Sequence, residues 1–251
     1  MKVSVIIITY NEEKNITACL ESVKWADEII VIDSESSDRT LTIAEEFGCI
    51  TETRPWQGYA KQKLYALSKA KNEWVLSIDA DERVSGQLKN EIIDLNGTEN
   101  DGFRILRENY FLGRKITTCG WDKDYQLRLF RKSKTTVSDR LVHEGFVVDG
   151  KISNLQNRII HHTHTDLKST FEKINIYSSL QAIEQSKKKS PSITGIILHT
   201  LSAFFRYYFS LKGFKDGMYG FMVSVINAVT TLQTYMKIWE IKNVKSGELN
   251  K

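Results

Sequence analysis

Cysteine and proline are scarce in this chain, and a secretion signal is missing. Its 251 residues include three cysteines and two prolines. Cys19, Cys49 and Cys119 stand too far apart to form the disulfide framework that stabilises small secreted domains. The N-terminus starts with an apolar run and lacks a basic segment followed by a cleavage site. These absences predict a protein of the reducing cytoplasm.

Two motifs that bind phosphate groups are absent as well. No G-x-G-x-x-G follows the first apolar run, and no G-x-x-x-x-G-K-S/T occurs anywhere, which excludes the dinucleotide fingerprint and the P-loop. Basic residues are not interleaved with aromatic ones, so we expect no nucleic-acid partner. With 41% hydrophobic and 26% charged residues, the chain has the composition of an ordinary globular protein.

The first eighty residues alternate between apolar, β-branched runs and amphipathic segments. Such regular alternation is typical of an α/β protein, and it predicts an open, doubly wound parallel sheet. Asp38 is placed to cap the second helix, and Gly48 stands where that helix would end. The pattern predicts a first strand from Val3, strands over 28–33, 49–53 and 74–79, and helices over 15–23, 38–47 and 59–70.

Polar residues stand where three of these strands end. They are Thr9-Tyr10-Asn11-Glu12, Asp33, and Asp79-Ala80-Asp81-Glu82. Because ligands of open parallel sheets bind outside the carboxyl ends of the strands, we expect these groups to surround one crevice. Two carboxylates at i and i+2 suit a hard divalent cation that carries a phosphate. A solvated turn or a helix cap is the alternative for such a pair on its own.

These segments, in this order, resemble the signature motifs of family 2 glycosyltransferases with the GT-A fold. Segments 58–63, 126–131 and 142–145 also resemble motifs of bacterial lipopolysaccharide core glucosyltransferases, so the likeness reaches about Gly150. Ser34 departs from the pattern, because many members carry a second acid there. The resemblance implies a mixed, mainly parallel sheet flanked by helices. We expect a GT-A domain over residues 1–165 and a C-terminal helical region over 166–251.

The resemblance also implies a role for each polar residue. Asp81 would bind Mg²⁺ or Mn²⁺ directly, and Asp79 would reach the ribose of a UDP-sugar or the water shell of the metal. Asp33 would accept a hydrogen bond from the uracil imide, and Lys63 would face the phosphates unless it is simply solvated. The expected nucleotide-sugar-binding residues are Thr9, Tyr10, Asn11, Glu12, Asp33, Lys63, Asp79 and Ala80.

An inverting sugar transfer further needs a base that takes the acceptor proton. Family members carry this acid after the D-x-D, and Glu144, next to His143, matches it. A glutamate beside a histidine could equally form a surface ion pair. The competing carboxylates are Asp122, Asp124 and Asp139.

Three histidines, His161, His162 and His164, invite a metal interpretation. Residues 162 and 164 would share one face of a strand, but no Cys-x-x-Cys accompanies them. His162 is a candidate third ligand for the D-x-D metal, and packing or a pH-dependent hydrogen bond is the alternative.

The C-terminal region contains two apolar stretches, 193–211 and 218–236, that approach the length of a membrane span. In the second, apolar side chains recur every three or four residues from Phe221 to Trp239, which predicts an amphipathic helix. Basic residues flank both stretches, so we expect residues 193–239 to lie on an anionic membrane surface. A helical pair packed on the core or on a second subunit is the alternative.

We therefore predict a metal-dependent inverting enzyme that moves a hexose such as glucose from a UDP-sugar to a lipid-anchored cell-envelope glycan. The leading acceptor is a lipopolysaccharide core, reached at the inner face of the cytoplasmic membrane. A polyisoprenyl-phosphate acceptor is one alternative. A nucleotidyltransferase would open with a glycine-rich basic loop, whereas residues 9–13 are acidic, and a non-catalytic binding module would lose the acids that this chain retains.

Overall fold

A computed structural model describes residues 1–138 and 145–244 of the chain. The chain divides into two compact units. The first contains Met1–Glu108 and Lys123–Thr163, and the second contains Asn109–Asp122 and the chain from His164 onward. The division expected at residue 165 stays a prediction.

Four parallel strands, connected by helices, build the centre of the first unit. β1 pairs with β2 and β4, and β2 pairs with β3, so the order is β3-β2-β1-β4. The predicted bounds of β2 and β4 agree with the structure. The elements are β1 (Val3–Thr9), α1 (Glu13–Val23), β2 (Glu28–Asp33), α2 (Thr40–Glu46), β3 (Ile50–Thr53), α3 (Tyr59–Lys69) and β4 (Trp74–Asp79).

Beyond β4 the sheet turns antiparallel, so the doubly wound parallel sheet expected from the first eighty residues holds only for β1 to β4. The strand order continues β4-β8-β6-β11-β5, with β8 antiparallel to both of its neighbours and β11 antiparallel to β5. The mixed sheet flanked by helices is confirmed. β7 pairs with β6 at the side of this sheet, and β9 and β10 form a separate two-stranded sheet. The elements from β5 to β11 are β5 (Glu82–Val84), α4 (Gly86–Asp94), β6 (Gly102–Phe111), β7 (Arg114–Lys115), β8 (Tyr125–Arg131), β9 (Thr135–Val137), β10 (Phe146–Val148) and β11 (Ile152–His164).

Alternate residues of β1 belong to two separate hydrophobic clusters. Val5 and Ile7 belong to the cluster that includes Leu20 of α1, whereas Ile6 belongs to the cluster that includes Leu67 of α3. Since successive side chains of a strand point to opposite faces, the two clusters cover the two faces of the sheet. A strand buried on both faces needs the continuous apolar run that this sequence supplies.

The second unit is mainly helical. It contains α5 (Leu167–Ser186), α6 (Ile193–Phe205) and α7 (Gly217–Asn243), with a π-helical turn over Arg206–Ser210 and a 3-10 turn over Gly213–Asp216. α7 packs against both α5 and α6. Within residues 1–138 and 145–244, every helix is too short or too polar to cross a lipid bilayer.

Candidate active site

The predicted polar residues meet at one edge of the parallel strands. In the register of the sheet, Thr9 lies opposite Asp33 and Ile8 lies opposite Asp79. The ends of β1, β2 and β4 therefore bring polar residues of three separate sequence segments to adjacent positions of the sheet. A cavity that includes Asp27 and Lys71 lies at the opposite, amino ends of these strands, and it is lined by none of the predicted site residues.

Asp33 is buried, and hydrogen bonds fix both of its carboxylate oxygens. Thr9 Oγ1 donates to Oδ1 at 2.9 Å and Ser36 Oγ donates to the same atom at 2.6 Å. The backbone N–H of Ser36 donates to Oδ2 at 2.8 Å. A carboxylate that accepts several hydrogen bonds keeps one orientation. Asp33 is thus a rigid acceptor at the end of β2.

The loop after β1 is tied to the loop after β2. Asn11 adopts a left-handed backbone conformation with φ of 53°, and its Oδ1 accepts from the N–H of Ser37 at 2.8 Å. The N–H of Glu12 donates to Thr40 Oγ1 at 2.7 Å. Tyr10 directly precedes these two residues, with 60% of its surface exposed. The geometry gives Asn11 and Glu12 structural contacts and leaves the Tyr10 ring open to solvent.

Asp79 forms an ion pair with a buried arginine, Arg128, that has no predicted role although it lies in the motif-like segment 126–131. Nη2 of Arg128 lies 2.5 Å from Asp79 Oδ2 and 2.5 Å from Glu82 Oε1, and the N–H of Asp79 donates to Glu82 Oε2 at 2.9 Å. Burial acts to raise the pKa of Asp79, but the positive charges of Arg128, Lys63 and Arg107 outweigh it and hold that pKa well below its usual value. The first acid of the D-x-D is therefore a carboxylate at any pH of biological interest.

A second arginine extends this network. Nη1 of Arg107 lies 3.7 Å from Glu82 Oε1, and its Nε lies 2.7 Å from Asp124 Oδ2. Gln126 Nε2 donates to the other carboxylate oxygen of Asp124 at 2.7 Å. Asp124, one of the carboxylates that compete with Glu144, is thus fully engaged in structural contacts.

Asp81, the second acid of the D-x-D, faces His161. The distance from Asp81 Oδ1 to His161 Nε2 is 3.5 Å, and both side chains are about nine-tenths buried. The pairing of β11 with β5 sets His161 opposite Glu82. His162, the candidate third ligand, donates its backbone N–H to the Asp81 carbonyl at 3.0 Å, and the charge of Asp81 also acts on its imidazole, so its role as a ligand stays a prediction. Burial and the charge of Arg83 lower the pKa of His162.

The remaining predicted residues divide between the two units and the undescribed part of the chain. Ala80 is buried between the two acids, and Lys63 is close enough to lower the pKa of Asp79. Asp122 belongs to the second unit. Glu144 and its competitor Asp139 lie outside the described residues.

The donor chemistry of this site fits a divalent cation that is partly held by a phosphate. In the described part of the chain, no three His, Cys, Asp or Glu side chains form a group able to hold a metal. Asp79 and Asp81 nevertheless offer two carboxylates, and Mg²⁺ is usually bound by one or two carboxylates together with substrate phosphates and water. Asp79 and Asp81 would hold such an ion.

Comparison with known proteins gives matches over most of the chain. Residues 4–140 match the family model described as Glycosyl transferase family 2. The lipopolysaccharide core biosynthesis glycosyltransferase LpsC of Rhizobium meliloti is 30% identical, over 98% of this chain and 95% of LpsC. An uncharacterized glycosyltransferase of Rickettsia bellii is 32% identical, over 96% of this chain and 87% of its own. The crystal structure of S. aureus TarS 1-349 in complex with UDP-GlcNAc aligns with a TM-score of 0.49 at 16% identity, over 96% of this chain and 91% of that one.

Proposed function

This chain belongs to glycosyl transferase family 2 and is a glycosyltransferase, and from that premise we propose that it moves a hexose from a UDP-sugar to a cell-envelope glycan. The observation that carries the proposal is the meeting of Thr9, Asp33 and Asp79 at adjacent strand ends. Family membership argues against the nucleotidyltransferase and the non-catalytic binding module that the sequence left as alternatives.

Asp33 supports a uridine donor. Thr9 and Ser36 hold its carboxylate in one orientation, so this acceptor is already ordered before a nucleotide binds. The uracil imide N–H is a donor suited to such an acceptor. Tyr10 is the exposed aromatic side chain next to this position, where it can contact the base or the ribose. Glu12 would contribute to the ribose contact.

Asp81 and Asp79 would hold a Mg²⁺ or Mn²⁺ ion, with Asp81 in direct contact. When bound, the cation neutralises charge on the diphosphate leaving group. Arg128 keeps the Asp79 carboxylate ionised and fixed. Lys63, whose charge also acts on Asp79, would face the phosphates. The chain would thereby supply negative charge for the cation and positive charge for the diphosphate.

Glu144 remains our proposed catalytic base. In an inverting transfer the acceptor hydroxyl attacks the anomeric carbon from the face opposite to UDP, and the base takes the hydroxyl proton as the bond to UDP breaks. The products are an inverted glycoside, UDP and a protonated Glu144. Asp124 is the weaker candidate, because Arg107 and Gln126 already occupy its carboxylate.

The proposed acceptor is a lipid-anchored glycan, with a lipopolysaccharide core as the first candidate. LpsC, which is similar to this chain over nearly its whole length, carries lipopolysaccharide core biosynthesis in its name. A lipid-anchored acceptor is confined to a membrane, so the proposal includes a cytoplasmic location and peripheral contact with the inner face of the cytoplasmic membrane through residues 193–239. A polyisoprenyl-phosphate acceptor and a role for a second subunit are the alternatives.

A calorimetric titration tests the donor and the metal together. The protein is titrated with UDP, GDP and CMP, each with and without Mn²⁺, and the series is repeated on Asp81→Ala. Asp94→Ala, which removes an exposed acid at the end of α4, is the matched control. We expect Mn²⁺-dependent binding of UDP that is lost in Asp81→Ala and retained in Asp94→Ala. Equal binding of all three nucleotides, or binding of UDP that ignores both Mn²⁺ and Asp81, would contradict the proposal.

A further inference from the structure

One side of α6 and of the turn that follows it exposes a continuous apolar stripe. Ile193, Ile197, Leu201, Phe205 and Phe209 recur at every fourth position, and their exposed fractions range from 50% at Leu201 to 76% at Ile193. Residues four apart lie on one side of a helix. Leu198 is 65% exposed. These five residues and Leu198 are together called the α6 face. A row of large apolar side chains this exposed marks an interaction surface.

Two further exposed apolar side chains follow α6 in the chain, in and just after a well-anchored turn. Phe214 and Met218 are 48% and 67% exposed. The 3-10 turn, which contains Phe214 and ends two residues before Met218, is fixed because Asp216 accepts from Thr118 Oγ1 at 2.7 Å and from the N–H of Thr117 at 2.9 Å. Packing is close here too, since a Cβ atom on Gly220 would overlap the carbonyl of Gly213. The apolar side chains of this turn are therefore held at the surface by the fold.

The charge around the α6 face has one sign. Between Glu184 and Glu240 the sequence contains a single acid, Asp216, and that acid is buried and occupied by Thr117 and Thr118. The exposed cations from the end of α5 to the 3-10 turn are Lys187, Lys188, Lys189, Arg206, Lys212 and Lys215.

We infer that the α6 face docks on an anionic lipid surface, with α6 lying in the plane of the headgroups. Exposed aliphatic and phenylalanine side chains flanked by basic residues are the features of a helix that binds at the interface. Attraction of the lysines and Arg206 to acidic headgroups adds to the burial of the apolar stripe. At 13 residues α6 is far shorter than the roughly 20 residues of a spanning helix. The inference rests on the proposed function and narrows its membrane contact from residues 193–239 to this one face.

The structure favours lipid over a second copy of the chain as the partner. A two-fold contact between two α6 faces would bring the same cations opposite one another, and the sequence between Glu184 and Glu240 supplies no acid except the buried Asp216 to compensate them. The exposed apolar side chains of α5 lie among charges of both signs: Ile176 and Ile183 share that helix with Glu172 and Glu184 as well as with Lys168 and Lys173.

The amphipathic stripe that the sequence predicts from Phe221 to Trp239 lies on α7, and most of its side chains are covered. Ala228 is 8% exposed, and Val225, Leu232 and Tyr235 are half-buried. Phe221 and Trp239, at the two ends of that stripe, are the exposed members. The middle of α7 therefore serves packing within the second unit, and α6 supplies the exposed face.

Flotation of the full chain with vesicles tests the inference. Vesicles of phosphatidylcholine alone are compared with vesicles that contain equal parts of phosphatidylcholine and phosphatidylglycerol, at low and high salt. The test variant is Leu201→Ser with Phe205→Ser, and the matched control is Ile176→Ser, which replaces a side chain of similar exposure on α5. A third variant replaces Arg206, Lys212 and Lys215 by Gln.

We expect the wild type and Ile176→Ser to float with the anionic vesicles, and binding to weaken at high salt. The apolar variant should lose about tenfold or more in binding, and the Gln variant should lose its preference for phosphatidylglycerol. An unbound wild type, or equal binding by the apolar variant, would overturn the inference. So would a dimer on size exclusion that only the apolar variant converts to a monomer, because that outcome makes a second copy the partner.

A UDP titration on the same variants separates this inference from the proposed function. Substitutions on the α6 face should leave UDP binding unchanged. Loss of vesicle binding with intact UDP binding is then a result about the membrane surface alone. A wild type that binds vesicles but no UDP would contradict the proposed function and leave the docking surface standing.

Discussion

Arg128 Nη2 lies 2.5 Å from Asp79 Oδ2, so the first acid of the D-x-D is held by a cation from an antiparallel strand. The same nitrogen lies 2.5 Å from Glu82, whose side chain is fully buried. One guanidinium thus compensates one acid that faces the crevice and one that does not. The contacts of Arg128 therefore both position Asp79 in the candidate site and stabilise the sheet.

Substitution of Arg128 by Gln should therefore destabilise the fold. It removes the cation but leaves Glu82 buried, and breaking a buried ion pair from one side costs about 3–5 kcal/mol. We expect the free energy of unfolding, measured by urea denaturation, to fall by that amount. In a double-mutant cycle with Glu82→Gln the loss should be smaller than the sum of the two single losses.

An exposed ion pair provides the control for this prediction. Lys69 and Glu52 lie 2.7 Å apart, but both side chains are 39% exposed. Solvent screens such a pair, so Lys69→Gln should change the free energy of unfolding little. If Arg128→Gln were as mild as Lys69→Gln, the network around Asp79 would not have the structural importance inferred here.

The sequence predicted the parallel half of the sheet well, because each strand there is an apolar run with polar residues at its end. The run from Trp74 to Asp79 is bounded in the structure as it was in the sequence. The same logic placed Asp33 and Asp79 at the ends of parallel strands, and the register puts them on either side of β1. The predicted family is confirmed as well.

The sequence could not predict contacts that depend on antiparallel pairing. Arg128 meets Asp79 only because β8 returns beside β4 with Leu129 opposite Leu76. The one sequence signal for this contact is the position of Arg128 between Leu127 and Leu129, because a charged residue within an apolar run needs a buried partner. The distance of 3.5 Å between His161 Nε2 and Asp81 Oδ1 depends likewise on the register of β11 on β5, because a shift of one residue in register exchanges the two faces of a strand.

Asp33→Asn should weaken UDP binding about tenfold. The substitution keeps the shape of the side chain but replaces one acceptor oxygen by a donor NH₂ group. Ser36 and the uracil imide would then compete for the one remaining oxygen of the side chain. Calorimetric titration with UDP and Mn²⁺ measures the change. Asp27→Asn is the control, because Asp27 accepts from the N–H of Val3 at the amino end of β1. Similar UDP affinities for the two variants would remove Asp33 from the uracil site.

Glu144→Gln should lower kcat by about 10² to 10⁴ and leave the Kd for UDP unchanged, because a base acts on the acceptor and not on the donor nucleotide. The comparison is Asp124→Asn, which disturbs the ion pair with Arg107. We expect Asp124→Asn to reduce stability while it keeps kcat within a few fold. The assignment of the base is wrong if the two variants exchange these effects in a transfer assay with UDP-sugar and acceptor.

The stability that Asp79 contributes should depend on pH in one direction. Its pKa is held low in the folded protein by Arg128, Lys63 and Arg107, whereas an unfolded Asp has a pKa of about 3.9. Below that value the unfolded chain binds a proton that the folded chain does not, so stability falls as pH falls. The contribution is complete above about pH 4 to 5 and is lost progressively in more acidic solution.

Wild type and Asp79→Asn should therefore differ most in free energy of unfolding at neutral pH, and the difference should shrink from pH 4 toward pH 3. Urea denaturation at pH 7, 5, 4 and 3 measures it. In a Lys63→Gln background the Asp79→Asn difference should be smaller at neutral pH, because one of the cations that stabilise the carboxylate is gone. A difference that stayed constant or grew on acidification would mean that Asp79 is not ionised through these contacts, and the electrostatic account of the D-x-D would fail with it.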